Sequence, residues 1–341
     1  MKNFTFRNVL FAIFLANMVL ASCKKENSTP KALIGNWVNL YECDFNARSN
    51  AISFTVGDVA YVGLGYNETE YLTDFWGASI ETNGDIAWYR LDNFPGSSRT
   101  SAVAFSVNGK GYVCTGYDGA KMLKDVWEYN PSTGKWTQKN NFGGTARYGA
   151  VAFTIGYTAY VCTGYDGEYL NDVWAYNSLT DTWTQKSNFN GSGRRDAVAF
   201  VIDGKGYICC GDCNGYFVGD FSKYDPSTDK WYELNPVSDI SDKNYYGDYD
   251  GIAGVGKTAF AVGNYAYVAT GGFGTYGNRV WEYDAVNDLW EEKTPFEGRS
   301  RMYAVSFVLG NSGYVLTGKG NYGCLVDIWR FDPSDEYDEY Y

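Results

Sequence analysis

The chain contains no histidine. That absence removes His-ligated zinc, copper and iron, the Ser-His and Cys-His nucleophile pairs, and the imidazole general base. Proline is scarce at seven in 341 residues, while glycine reaches 40, so chain reversals are tight turns rather than disordered linkers. Basic residues are in deficit: 28 Lys and Arg against 40 Asp and Glu leave a net charge of −12. A nucleic-acid partner, which needs a basic footprint, is therefore not expected. The apolar run Val9–Leu20 is too short to cross a bilayer as a helix. Aromatic residues, by contrast, are plentiful: 31 Tyr, 20 Phe and 11 Trp suit β-rich packing.

Lys2 and Arg7 precede that apolar run, which ends in Leu20-Ala21-Ser22-Cys23. Small residues before a cysteine after a secretory core resemble the lipobox of bacterial lipoproteins, in which the cysteine is lipidated and becomes the new N-terminus. The resemblance implies a signal peptide over residues 1–22, a lipid on Cys23 and a polar tether over 23–31. Residues 32–341 then form the folded part, exported to the cell envelope and touching membrane through the lipid alone. Lys24 beside the cysteine favours outer-membrane delivery.

Hydrophobic periodicity is close to 2 along the rest of the chain, which predicts strands throughout. One stretch, Arg99–Trp136, is copied by the next, Arg147–Trp183. Each copy holds four strands, in the former about 102–107, 110–116, 125–130 and 135–139, joined by short turns such as Asn108-Gly109. A second-strand tyrosine recurs as Tyr61, Tyr112, Tyr160, Tyr207, Tyr267 and Tyr314, giving six copies spaced 47 to 60 residues apart. A four-strand unit at that period is the signature of a β-propeller blade. Tryptophan recurs in the third strand (Trp76, Trp127, Trp174, Trp281, Trp329) and the fourth (Trp88, Trp136, Trp183, Trp231, Trp290). The sixth copy lacks a fourth strand, and Trp37 stands 11 residues before Arg48, the same gap that separates Trp88 from Arg99. Residues 36–40 are therefore expected to close the sixth blade. The acidic end DPSDEYDEYY is expected to be a solvated overhang.

The repeated Arg…Ala-Val-Ala-Phe, Gly-Tyr-Val-x-Thr-Gly, Asp-Val-Trp-x-Tyr and fourth-strand Trp resemble kelch repeats. That resemblance covers residues 32 to about 331 and implies an all-β, six-bladed kelch-type propeller, a monomer, with its last blade closed by an N-terminal strand. The paired glycine that usually ends the second strand is complete only at Gly271-Gly272; at Gly116-Tyr117 and Gly164-Tyr165 a tyrosine takes the second place.

The resemblance also places the arginines that head the first strands at the rim of the central channel. They are Arg48, Arg99, Arg147, Arg194 or its neighbour Arg195, and Arg301, with Gly254 in the fifth copy. A ring of guanidiniums would bind carboxylates or sugar acids; alternatively each pairs with a carboxylate of the fold. Tyr66, Tyr117, Tyr165 and Phe273, with Asp118 and Asp166, fall on the same face and suit sugar or peptide recognition, or are ordinary turns. A longer loop around residues 238–250 overhangs it and reads as a lid or a calcium loop.

Cys114, Cys162 and Cys209 share one second-strand position and read as core thiols. A Cys43–Cys324 disulfide clamping the closure is expected, and Cys210 and Cys213 read as a local disulfide or two thiols rather than a metal site. The run Gly251–Thr258 matches a phosphate loop literally, but an acidic loop precedes it and the first two strands of blade five, at 259–262 and 265–270, follow it where a helix would be needed. No cofactor is expected. The leading expectation is a binding or scaffold module for a glycan or protein partner; the runner-up, implied by the resemblance, is a sugar-acid (sialic acid) mutarotase. A purely structural envelope part is a third.

Overall fold

A computed structural model describes residues 34–82, 84–237 and 251–338. The stretches expected to be a signal peptide and a tether, with Cys23, and the loop 238–250 lie outside the described residues. Six four-stranded antiparallel sheets form the blades, and no helix occurs among the described residues. Blade one is Ile52–Val56, Val59–Gly63, Phe75–Ile80 and Ile86–Arg90. Blade two is Val103–Val107, Lys110–Cys114, Val126–Asn130 and Lys135–Lys139. Blade three is Val151–Ile155, Thr158–Cys162, Val173–Asn177 and Thr182–Lys186. Blade four is Val198–Ile202, Lys205–Cys209, Ser222–Asp225 and Lys230–Glu233. Blade five is Val255–Val262, Tyr265–Gly272, Val280–Asp284 and Leu289–Glu292. In blade six Val305–Leu309, Ser312–Leu316 and Asp327–Glu336 are completed by Ile34–Glu42, the closing strand expected from Trp37.

The closure repeats the packing of the other blades. Trp37 is fully buried and meets Phe296 edge-on at 4.8 Å, as Trp88 meets Phe45 at 5.0 Å and Trp183 meets Phe142 at 4.9 Å. The acidic end is not an overhang up to Glu336. Asp332 pairs with Asn36 and Glu336 with Ile34, because the closing strand offers a free edge there and a longer ladder satisfies more backbone groups.

Blades pack face to face through a stacked pair, the first-strand phenylalanine on the second-strand tyrosine, at 5.1 to 5.4 Å in all six. Glycine in the next blade makes room for that phenylalanine. A Cβ on Gly111 would lie 2.0 Å from Phe54, and one on Gly313 2.1 Å from Phe260. Cys114, Cys162 and Cys209 are fully buried core thiols, and burial pushes all three upward in pKa.

Candidate functional site

Each blade enters the channel through the residue that follows its fourth-to-first-strand loop. Arg48, Arg99, Arg147, Arg194 and Arg301 are wholly buried there. Arg99 shows the pattern: Nη1 and Nη2 donate to the Asp125 carboxylate at 2.7 Å each, Nη1 to the Thr115 carbonyl at 3.0 Å, and Nε to the Ser97 carbonyl at 3.0 Å. Trp127 donates its indole N–H to the same carboxylate at 2.7 Å, and Phe94 lies under the guanidinium at 5.0 Å. Asp74, Asp172, Asp220 and Asp327 hold Arg48, Arg147, Arg194 and Arg301 in the same way. Arg48, Arg99, Arg147 and Arg301 are thus clasps inside blades rather than an anion-binding ring; every strong donor is already directed at protein.

Blade five lacks both halves of the clasp, having Gly254 for the arginine and Arg279 for the aspartate. Lys257 fills in. It occupies the position of Ala51, Ala102, Ala150, Ala197 and Ala304, and its buried amine donates to the Thr270 carbonyl at 3.1 Å and to Gly251 at 3.0 Å. The phosphate-loop look-alike is therefore a turn running into the strand Val255–Val262, whose lysine braces the fold.

Backbone bonds join the blades in a closed circle. Gly65, Gly116, Gly164, Gly211, Gly271 and Gly318 each donate to the carbonyl heading the next blade, at 2.7 to 2.9 Å. Two residues after each blade head, Asn50, Ser101, Gly149, Asp196, Gly256 and Tyr303 line the channel, all with φ between 50° and 64°. Left-handed backbone at a tyrosine and an aspartate is costly and marks positions held for a purpose. Among the described residues Asp196 is the only acidic side chain lining this constriction, which measures about 160 Å³.

Arg195, not Arg194, faces the mouth. Its guanidinium is about one-third exposed, donates from Nη1 to the Tyr148 hydroxyl at 2.6 Å and from Nε to Asp212 at 3.2 Å, and lies 3.7 Å from Asp196. Tyr148, Tyr165 and Tyr169 surround it at 5.7, 5.7 and 5.9 Å. Tyr169 donates its hydroxyl to Asp212 at 3.1 Å, and Gly215 N–H fixes the other oxygen at 2.7 Å.

From that point an unbroken arc of half-buried rings runs round the mouth: Tyr169, Tyr165, Tyr148, Tyr117, Tyr71 and Tyr66, with successive centroids 4.9 to 6.3 Å apart. Tyr66, Tyr117 and Tyr165 were legible from the repeat. Asp118 and Asp166 accept backbone N–H groups of their own turns, at 2.9 and 3.1 Å for Ala120 and Glu168, and shape the loops that carry the arc. Phe273 is 65% exposed and packs on Phe217 at 4.4 Å, apart from the arc.

The expected Cys43–Cys324 disulfide is not formed. Cys43 is buried in an apolar cluster with Phe45 and Ile328, while the Cys324 thiol turns to the Tyr66 carbonyl at 3.5 Å. Cys210 and Cys213 are also free; the Cys210 thiol donates to the Ile252 carbonyl at 3.1 Å.

Burial pushes the Asp196 carboxyl up to about 6, with Asp212 adding to the rise and Arg195 opposing it. A carboxyl raised above its ordinary 3.8 favours the fold only below about pH 4, and that contribution disappears as pH climbs through 6. Asp196→Asn is thus expected to stabilise the protein by about 1–2 kcal/mol at pH 7 and by nothing near pH 4. Urea unfolding at both pH values checks this; a difference that does not change with pH would refute it.

The fold is a six-bladed β-propeller. The Kelch motif matches residues 98–143 and 146–190, which are the second and third blades. Among curated proteins, 87 residues are 40% identical to the N-acetylneuraminate epimerase of Pasteurella multocida (strain Pm70), covering 24% of this chain. The same length is 33% identical to the N-acetylneuraminate epimerase of Haemophilus influenzae (strain PittEE). In both cases the match spans 22% of the relative's own length. The solved structure of YjhT superposes with a TM-score of 0.71 at 19% identity, over 84% of this chain and 95% of that one.

Proposed function

We propose that this propeller is a glycan-binding module of the cell envelope, anchored through Cys23, with its binding site at the channel mouth. The tyrosine arc ending on Arg195 is the observation that carries the reading. Tyrosine faces stack on the C–H faces of sugars, and a guanidinium pre-set by Asp212 and Tyr148 offers directed donors to hydroxyls without first losing side-chain freedom. Arg195 already faces two carboxylates, Asp196 and Asp212, so a carboxylated sugar gains no net charge attraction and neutral sugars are favoured.

The test is binding of residues 32–341 to an immobilised panel of neutral sugars and sugar acids, with Tyr148→Ala/Tyr165→Ala beside the parent. Binding to neutral sugars that the variant loses at least tenfold is expected; a folded parent that binds no sugar overturns the reading. A second reading, epimerisation of a sugar acid, is supported by Asp196, whose carboxyl is pushed by burial up to about 6 beside Arg195, and by the names of the partial relatives. Turnover of N-acetylneuraminate anomers followed by NMR, abolished in Asp196→Asn, would replace the binding reading.

A further inference from the structure

The loop entering blade one has the same length as the others but sets its aromatic residue later. Three positions separate Phe45 from Arg48, whereas five separate Phe94 from Arg99, Phe142 from Arg147, Phe189 from Arg194 and Phe296 from Arg301. In blades two and three the residue three before the arginine is Gly96 or Gly144, which press on the indole nitrogens of Trp127 and Trp174, where an added Cβ would lie 2.8 and 2.9 Å away. In blade one that residue is Phe45, whose ring meets Trp76 at 5.8 Å. Beside that ring lies a groove of about 390 Å³, within the range that holds small ligands. Its wall includes Tyr71, a member of the arc, so the groove continues the mouth outward. Arg90 caps Trp76 at 5.8 Å and donates to Asn93 at 3.2 Å, and both side chains are exposed. Glu70, Asn46 and Asp44 supply acceptors around them. A larger groove of about 800 Å³ beside Trp329 contains none of the arc tyrosines and offers no such continuity.

We propose that the groove at Trp76 is a distal subsite of the channel-mouth site, so that the ligand is an oligosaccharide chain lying along the tyrosine arc from Arg195 to Trp76. This rests on the glycan reading above and adds the length of the ligand. A single sugar covers one or two of the six rings. The remaining rings, and a groove with an aromatic floor and mixed donors and acceptors, match further sugar units. Chain binding also explains how modest contacts would reach useful affinity, since each added unit contributes without a new loss of translational freedom.

Calorimetry with linear gluco-, N-acetylgluco- and manno-oligosaccharides of increasing length, starting from single sugars, tests the proposal on the folded domain. Affinity is expected to rise at least tenfold between the single sugar and the longer chains. Arg90→Ala/Asn93→Ala, which alters exposed side chains only, is expected to abolish that rise and leave single-sugar affinity unchanged. Tyr148→Ala/Tyr165→Ala is expected to weaken every length. Affinity independent of length, or a rise that survives in the Arg90/Asn93 variant, overturns the distal subsite while leaving the mouth as a glycan site. Absence of binding at every length overturns both.

Discussion

Arg99→Ala is expected to destabilise the propeller by about 3 kcal/mol, more than any exposed substitution on the mouth face. Arg99 is fully buried and donates to Asp125, to two backbone carbonyls and to nothing outside the protein. Removing it strands the Asp125 carboxylate and the Thr115 carbonyl in a space that water enters poorly. It also leaves a cavity over Phe94. Equilibrium urea unfolding measures the loss, and a change below about 1 kcal/mol would show that the clasp is replaceable by solvent. Burial alone would raise Asp74, Asp125 and Asp327, but the guanidinium on each more than offsets it and holds the carboxyl below its ordinary range. Depressed carboxyls contribute stability above their unfolded value of about 4 that is lost as pH falls through the lower folded value, so acid unfolding should set in below about pH 4. Asp196 runs in the opposite sense, which lets the two effects be separated in one titration.

The clasp shows where sequence reasoning stops. Its arginines recur in register, and so do the aspartates 25 or 26 residues later, but sequence spacing does not say which way a guanidinium turns. The same repeat that revealed six blades and the closing strand at Trp37 also made Arg194 and Arg195 look interchangeable. One is sealed by Asp220; the other, a single residue later on an extended backbone, points to the opposite side and into the mouth. Asp196 and Tyr303 went unseen for a related reason. Their functional hint is a left-handed backbone and burial against the channel, neither of which leaves a mark in composition.

The arc was half legible. Tyr66, Tyr117 and Tyr165 replace the second glycine of the repeat and so stand out, whereas Tyr71 and Tyr169 lie four or five residues further along the same loops as Tyr66 and Tyr165, at positions without a repeat signal, and Tyr148 comes from a fourth-to-first-strand loop. The Cys43–Cys324 pairing failed on side-chain direction. Both lie in loops on one face, as expected, but a disulfide needs side chains aimed at each other, and one is turned into the core while the other is turned toward Tyr66.

Arg195→Ala is expected to weaken glycan binding about thirtyfold, or roughly 2 kcal/mol, while stability changes by less than about 1 kcal/mol. The two halves of that expectation come from the same geometry. Arg195 is partly open, so its Coulomb contribution to the fold is screened, and Asp212 keeps the Tyr169 hydroxyl and the Gly215 N–H when the arginine is gone. The ligand loses much more. Three tyrosine rings take their orientation from the guanidinium between them, and without it they regain rotamer freedom that binding must then remove. Arg195→Lys separates charge from shape: an ammonium keeps the sign but cannot bridge Tyr148 and Asp212 with a planar fork. If lysine restores less than a third of the lost binding energy, the arginine acts as a positioned hydrogen-bonding plate. Full restoration by lysine would make it a point charge, and the preference for neutral sugars argued from Asp196 and Asp212 would then fall with it.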